Sequence, residues 1–147
     1  MPTVIHQFIR EAEAGSNPRV IGKLPSGWLM FSGDQTLRGY CLLIANPIVP
    51  DINSLSFEKR AEFLLDMTRV GDALNEILEP RRINYSMLGN QDHALHAHIH
   101  PRFETETADF VLKPPFAYPL LGEAPVPFDS VRDAPLMAAI AKNLGIR

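Results

Sequence analysis

Four of the five histidines in this chain fall within eight residues: His93, His96, His98 and His100. The last three alternate with Ala97 and Ile99. Residues two apart on a strand share a face, so three imidazoles line one side while Ala97 and Ile99 turn toward a core. Same-face neighbours stand roughly 6.6 Å apart, which suits rings acting on adjacent atoms of one substrate. Three readings compete. A solvated polar face is possible, though strict alternation of so uncommon a residue argues against it. A metal site is possible, because neutral imidazole ligates zinc, copper or iron. No cysteine partner and no acidic ligand at diagnostic spacing accompanies the row. The third is imidazole chemistry itself, with one ring as nucleophile and a neighbour as orienter or proton donor.

The elements around the row can be read from periodicity. Ile83 to Leu88 alternates apolar and polar residues for most of its length and predicts a half-buried strand. Gly89-Asn90-Gln91-Asp92 predicts a turn, and Leu95 to Phe103 the returning strand of an antiparallel hairpin. Upstream, Phe57, Ala61, Leu64, Leu65, Thr68, Leu74, Ile77 and Leu78 share a helical stripe. This predicts a helix of about six turns, started by Ser54 or Ser56 and ended by Glu79-Pro80. His6 to Ala14 predicts a short N-terminal helix ended by Gly15-Ser16-Asn17-Pro18. Val20 to Phe31 contains a strand at Trp28 to Phe31, a turn follows at Gly33-Asp34, and Gly39 to Ala45 reads as a buried strand. Lys113 to Pro127 holds five prolines and predicts an extended, irregular arm. Asp133 to Leu144 predicts a terminal helix capped by Gly145.

Composition bounds the function. The chain has 147 residues, 46% hydrophobic and 21% charged, which predicts a single domain over 1–147. Within it, 113–147 forms the proline-rich arm and C-terminal helix. With 14 Lys+Arg against 17 Asp+Glu, a general binder of nucleic-acid polymers is disfavoured, whereas a nucleotide-sized anion needs only a few local donors. The lone Cys41 cannot form an internal disulfide and reads as a buried small hydrophobe. Met1 to Arg10 has no signal-peptide pattern, and no window approaches the roughly 18 apolar residues of a membrane span. The expectation is a soluble, cytoplasmic protein without a membrane partner. Walker, dinucleotide-loop and nucleophile-elbow motifs are absent from the sequence.

The stretch from Leu88 to Phe103, with Leu88-Gly89-Asn90, Leu95-His96-Ala97-His98 and Pro101-Arg102, resembles the histidine triad (HIT) superfamily, in particular its bacterial hydrolase branch. The resemblance runs from about Phe8 to Phe103, taking in the short helix, the Gly39 to Pro47 strand and the long helix. It implies an α+β fold: an antiparallel sheet of about five strands with one long and one short N-terminal helix, paired across a homodimer. The arm would then reach toward the partner's site. It also implies metal-independent, cofactor-free nucleotide chemistry. A histidine attacks the α-phosphorus of a nucleoside phosphoramidate or dinucleoside polyphosphate, and water cleaves the nucleotidyl-histidine. A catalytically weakened nucleotide-binding or sensor module, or a three-histidine metal-binding protein, are the alternatives.

Two registers are open. In one, His96, His98 and His100 are the triad and His98 is the nucleophile. In the other, His96 is the nucleophile, His98 the third histidine, Ala94 stands at the first position and His100 is an extra. The second is preferred, because Gly89 stands seven residues before His96 and Pro101-Arg102 follows at the branch's spacing. It leaves the first histidine's orienting role to some other group, with His93 as a candidate. By resemblance, Asn84 contacts substrate, Gly89 and Asn90 bring backbone amides to the phosphate, and Gln91 takes the place of a leaving-group donor. Asp34 corresponds to an acidic residue that binds ribose hydroxyls. Phe8, Ile9 and Phe31 are candidates for a base slot. Arg102 is a candidate for bidentate phosphate binding, or for a structural salt bridge.

Overall fold

The computed structural model describes residues 2–117 and 124–146. The first helix, α1, spans Val4–Ala14. It starts two residues earlier than periodicity predicts because Thr3 and His6 form a reciprocal cap. The Thr3 hydroxyl accepts from the His6 backbone, and the His6 ring accepts the Thr3 N–H. Gly15 ends it in the left-handed conformation, φ 68°. Val20–Leu24 (β1) and Gly27–Phe31 (β2) are two strands joined by a turn at Pro25-Ser26, where the sequence suggested one strand near the end of the stretch. Cys41–Ala45 is β3, every residue buried.

The long helix α2 covers Phe57–Leu78, with the Ser56 hydroxyl accepting from the Lys59 N–H and Glu79 closing its end ahead of Pro80. Arg82–Ser86 (β4) and His96–Arg102 (β5) pair antiparallel, with Asn84 opposite His100 and Ser86 opposite His98. A four-residue helix, Ala108–Val111 (α3), follows, and Ala134–Leu144 (α4) ends at Gly145. The five strands form one antiparallel sheet in the order β1-β2-β3-β5-β4. This is the expected α+β arrangement.

The sheet has two unlike faces. On one, Leu29, Phe31, Cys41, Leu43, Ala97 and Ile99 pack against Phe63, Val70 and Leu74 of α2 and Ile140 of α4. On the other, Met30, Leu42, Ile44 and Ala94 pack against Ile5 and Ile9 of α1. The smaller helix leaves much of this second face open, and the histidines occupy it. Cys41 is fully buried as expected, and burial holds its thiol protonated.

The proline-rich arm, read as extended and irregular, is described in part. Residues 115–117 form a short turn, and 118–123 lie outside the described residues. The part beyond runs along the chain's own 33–36 loop rather than outward. There the Gln35 N–H donates to the Val126 carbonyl at 2.7 Å, and the Phe128 N–H donates to the Gly33 carbonyl at 2.9 Å. These main-chain bonds join residues 126–128 to the 33–36 loop. Among the described residues, no helix is long and apolar enough to cross a membrane.

Candidate functional site

The β5 alternation places His96, His98 and His100 on the face shared with α1. Ring centroids are 4.9 Å apart for His96 and His98, and 6.2 Å for His98 and His100. Their surroundings differ. The Nδ1 of His96 lies 2.6 Å from the Ala94 carbonyl. A carbonyl can only accept, so Nδ1 carries a proton, and in the neutral ring the lone pair is on Nε2. The Nδ1 of His98 lies 2.6 Å from the Tyr40 hydroxyl. His100 is 3% exposed, stacks on the Tyr40 ring at 3.7 Å, and its Nδ1 has no partner among the described residues. Burial lowers the His98 pKa to about 4, with His96 adding to the shift. Burial, then His98 and Arg102, lowers that of His100 to about 3. Both rings are therefore neutral at pH 7.

The row serves more than one cavity. One, of about 650 Å³, is lined by His96, His98, Tyr40, Leu42, Ile5, Phe8 and Phe116, with the turn 88–92 along one side. Gly89, Asn90 and Gln91, all expected to contact substrate, border it. Gly89 has φ 65°, a conformation that suits glycine and lets the backbone approach a ligand closely. His100 opens instead on a smaller cavity of about 180 Å³, together with Asp34, Ser32 and Thr36. Asp34 is thus near the row but beside its third ring. Its Oδ1 accepts from the Thr36 N–H at 2.9 Å and the Thr36 hydroxyl at 2.6 Å. Phe116 borders both cavities, with ring centroids 5.3 Å from His98 and 5.1 Å from His100.

Other expectations are redistributed. Arg102 is not at either cavity. Its guanidinium is buried and donates to Glu106 and to the Phe110 and Lys113 carbonyls, and at 2.9 Å to Asn84 Oδ1. The salt-bridge alternative describes it, and Asn84 is drawn into the same network rather than into a cavity lining. Phe31 is fully buried on the α2 face, so it cannot line a base slot on the other. Ile9 is packed in the cluster beneath α1, and only Phe8 of the three reaches the large cavity. His93 is exposed and borders a cleft that His96 also lines, beside Asp51 and Asn53, whereas the contact at His96 Nδ1 is the Ala94 carbonyl.

Sequence reasoning missed two residues. Tyr40 reads as part of an apolar strand run, and nothing local marks its contact with a ring 58 residues away. Asp92 reads as turn punctuation. Its Oδ2 accepts the Ile5 N–H at 3.1 Å, tying the start of α1 to the 89–92 turn. An acidic residue facing a helix N-terminus is electrostatically favoured, but the pairing spans 87 residues and leaves no local pattern. Among the described residues, no three His, Cys, Asp or Glu side chains are grouped so as to hold a metal ion.

A scan against protein-family profiles matches none, and a search of curated proteins finds no match. Solved structures do match. A histidine triad protein from Bradyrhizobium japonicum superposes with TM-score 0.71 at 24% identity, over 84% of this chain and 88% of that one. One from Marinobacter aquaeolei gives 0.73 at 20%, over 86% and 88%. This chain has the histidine triad fold. A hypothetical histidine triad nucleotide-binding protein from Sulfolobus tokodaii shares it at TM-score 0.71 and 13% identity, over 95% and 91%. In the histidine triad fold as built here, the row is divided: His96 and His98 face one cavity, and His100 the next.

Proposed function

We propose that this chain belongs to the histidine triad superfamily and is a nucleotide hydrolase or nucleotidyl transferase, acting at the α-phosphorus of a nucleoside phosphoramidate or dinucleoside polyphosphate. The observation that carries the proposal is the 2.6 Å contact of His96 Nδ1 with the Ala94 carbonyl, which leaves an Nε2 lone pair beside the large cavity. That favours His96 as nucleophile and the second register. A cavity of about 650 Å³ is within the size range of small-molecule sites. The Sulfolobus tokodaii protein's description as nucleotide-binding supports the substrate class.

His96 Nε2 attacks the α-phosphorus and a P–N(His96) bond forms. The P–N or P–O bond to the leaving group breaks, and that group departs with the electron pair and takes a proton from solvent. Water then forms a P–O bond, the P–N(His96) bond breaks, and the proton lost by water balances the first. On this reading His98 and the amides of Gly89 and Asn90, which line the cavity, donate to the phosphoryl oxygens, where charge develops. On this reading Phe8 and Ile5 contact the base, and Asp34, which lines the adjoining cavity with His100, is the candidate for the ribose hydroxyls. No metal or cofactor enters these steps. Edge strand β4 carries the exposed Tyr85, with Met87 just beyond it, and its pairing in a homodimer is part of the proposal. Sedimentation of the pure protein tests that part.

The chemistry is tested by intact-mass spectrometry after brief mixing with an adenosine phosphoramidate at mildly acidic pH, with chelator present. The expected result is a transient gain of one adenylyl group, placed on His96 by fragmentation. An adduct on His98 would reverse the assignment of roles. Binding of nucleoside monophosphate with neither adduct nor turnover would favour a binding module.

A further inference from the structure

The two rings that face the large cavity have different partners on the side away from it. His96 Nδ1 meets a carbonyl, and His98 Nδ1 meets a phenol. We propose that Tyr40 is a positioning residue that holds His98 with its single proton on Nε2, so that the site presents a lone pair from one ring and an N–H from the next. This rests on the nucleotidyl-histidine reading above and adds to it a residue that sets the role of His98.

The direction of the Tyr40–His98 bond follows from acidity. A phenol is a far stronger acid than a neutral imidazole N–H, and an imidazole nitrogen is a stronger base than a phenol oxygen. The O–H therefore donates and Nδ1 accepts. His98 is neutral at pH 7 and carries one proton, which must then be on Nε2. At 2.6 Å the bond is short for this pair of atoms.

Tyr40 is held at its ring and along its main chain. Its ring stacks on His100 at 3.7 Å. Its carbonyl accepts from the Ser32 N–H at 3.0 Å and from Gln35 Nε2 at 2.9 Å, and its N–H donates to the Leu37 carbonyl at 3.1 Å. The ring cannot swing away without breaking the stack. His100, at the position where the resemblance expects an apolar residue, thus acts as the backing plate for the phenol.

Preorganised donors aimed at developing charge contribute more than donors that must first reorient. Without the hydroxyl, the neutral His98 ring has no partner at Nδ1 and populates both tautomers. Only one of them donates toward a phosphoryl oxygen. His98 keeps its proton throughout, so the balance of the reaction is unchanged.

The test is nitrogen-15 NMR of the histidine rings in the full chain without substrate at pH 7, for wild type and Tyr40→Phe. His98 signals are assigned by their loss in His98→Gln. In wild type, Nδ1 of His98 is expected to resonate as an unprotonated nitrogen and Nε2 as a protonated one. In Tyr40→Phe, which retains the ring stack, the two shifts are expected to move toward each other. On an adenosine phosphoramidate, kcat of this variant is expected to fall about 10-fold or more with KM little changed, below the full loss of an oxyanion donor. A protonated Nδ1 in wild type, or an unchanged His98 tautomer in Tyr40→Phe, overturns the proposal whether or not the protein turns over substrate. Absence of turnover in wild type with the expected ring signals would instead overturn the reaction and leave the tautomer assignment standing.

Discussion

The Ala94 carbonyl lies 2.6 Å from His96 Nδ1, so a peptide group and not a side chain orients the ring proposed as nucleophile. The side chain of Ala94 is fully buried against Ile5, Ile9 and Met30 and does something else: it closes the small apolar cluster beneath α1. Ala94→Gly keeps the carbonyl and is expected to leave the rate of adduct formation close to wild type. Ala94→His, which recreates three alternating histidines ahead of His100, is expected to cost about 1–3 kcal/mol by overpacking. Denaturant unfolding and the adduct assay measure the two effects separately.

Stability is expected to fall in mild acid. His98 and His100 have native pKa values lowered to about 4 and about 3, below the ordinary histidine value. Between that ordinary value, near 6.5, and the native ones, the unfolded chain binds more protons than the folded chain. Stability therefore rises with pH across this window and is fully restored above about pH 6.5. The slope from His100 alone is on the order of 1 kcal/mol per pH unit. Urea unfolding at pH 7 and pH 5 measures it, and a His100→Phe variant should flatten the difference.

Arg102 and Glu106 form a pair with both side chains 4% exposed, and Asn84 and two carbonyls complete the set of acceptors. Arg102→Met leaves the Glu106 charge buried without its cation and is expected to cost about 3–5 kcal/mol. Replacing both partners together by apolar residues is expected to recover much of that loss. Nucleotide binding per folded molecule should be unchanged in the single variant, since the guanidinium lies outside both cavities. Equilibrium dialysis alongside unfolding curves checks both points.

Phe116 meets His98 and His100 edge-on, at 90° and 85°, and with Tyr40 lines both cavities. Each such contact contributes about 0.5–1.5 kcal/mol. Phe116→Ala is expected to widen both cavities and to raise KM by about 2- to 10-fold. The rate of adduct formation at saturating substrate should change less. Steady-state and single-turnover kinetics together separate the two.

The amino-acid sequence by itself determined what depends on local backbone geometry. The alternation of His96, His98 and His100 with Ala97 and Ile99 fixed a common face, because strand side chains repeat every two residues. The bounds of the long helix, set by Ser56 and Pro80, were legible in the same way, but its buried face was not: Phe57, Ala61, Leu64, Leu65 and Thr68 of the expected stripe are exposed, and Phe63, Asp66, Met67, Val70, Ala73 and Leu74 face the core. Gly89 to Gln91 announced a turn, and that turn borders the large cavity. Tertiary structure decided which groups meet across the chain. Tyr40 reaches His98, Asp92 caps α1, and residues 126–128 fold back onto the 33–36 loop. It also turned Phe31 to the opposite face and withdrew Arg102 and Asn84 into a buried network. These partnerships are set by the packing of two unlike sheet faces. Residues 58 or 87 positions apart carry no mutual periodicity, and only the energy of the assembled core brings them within hydrogen-bonding distance.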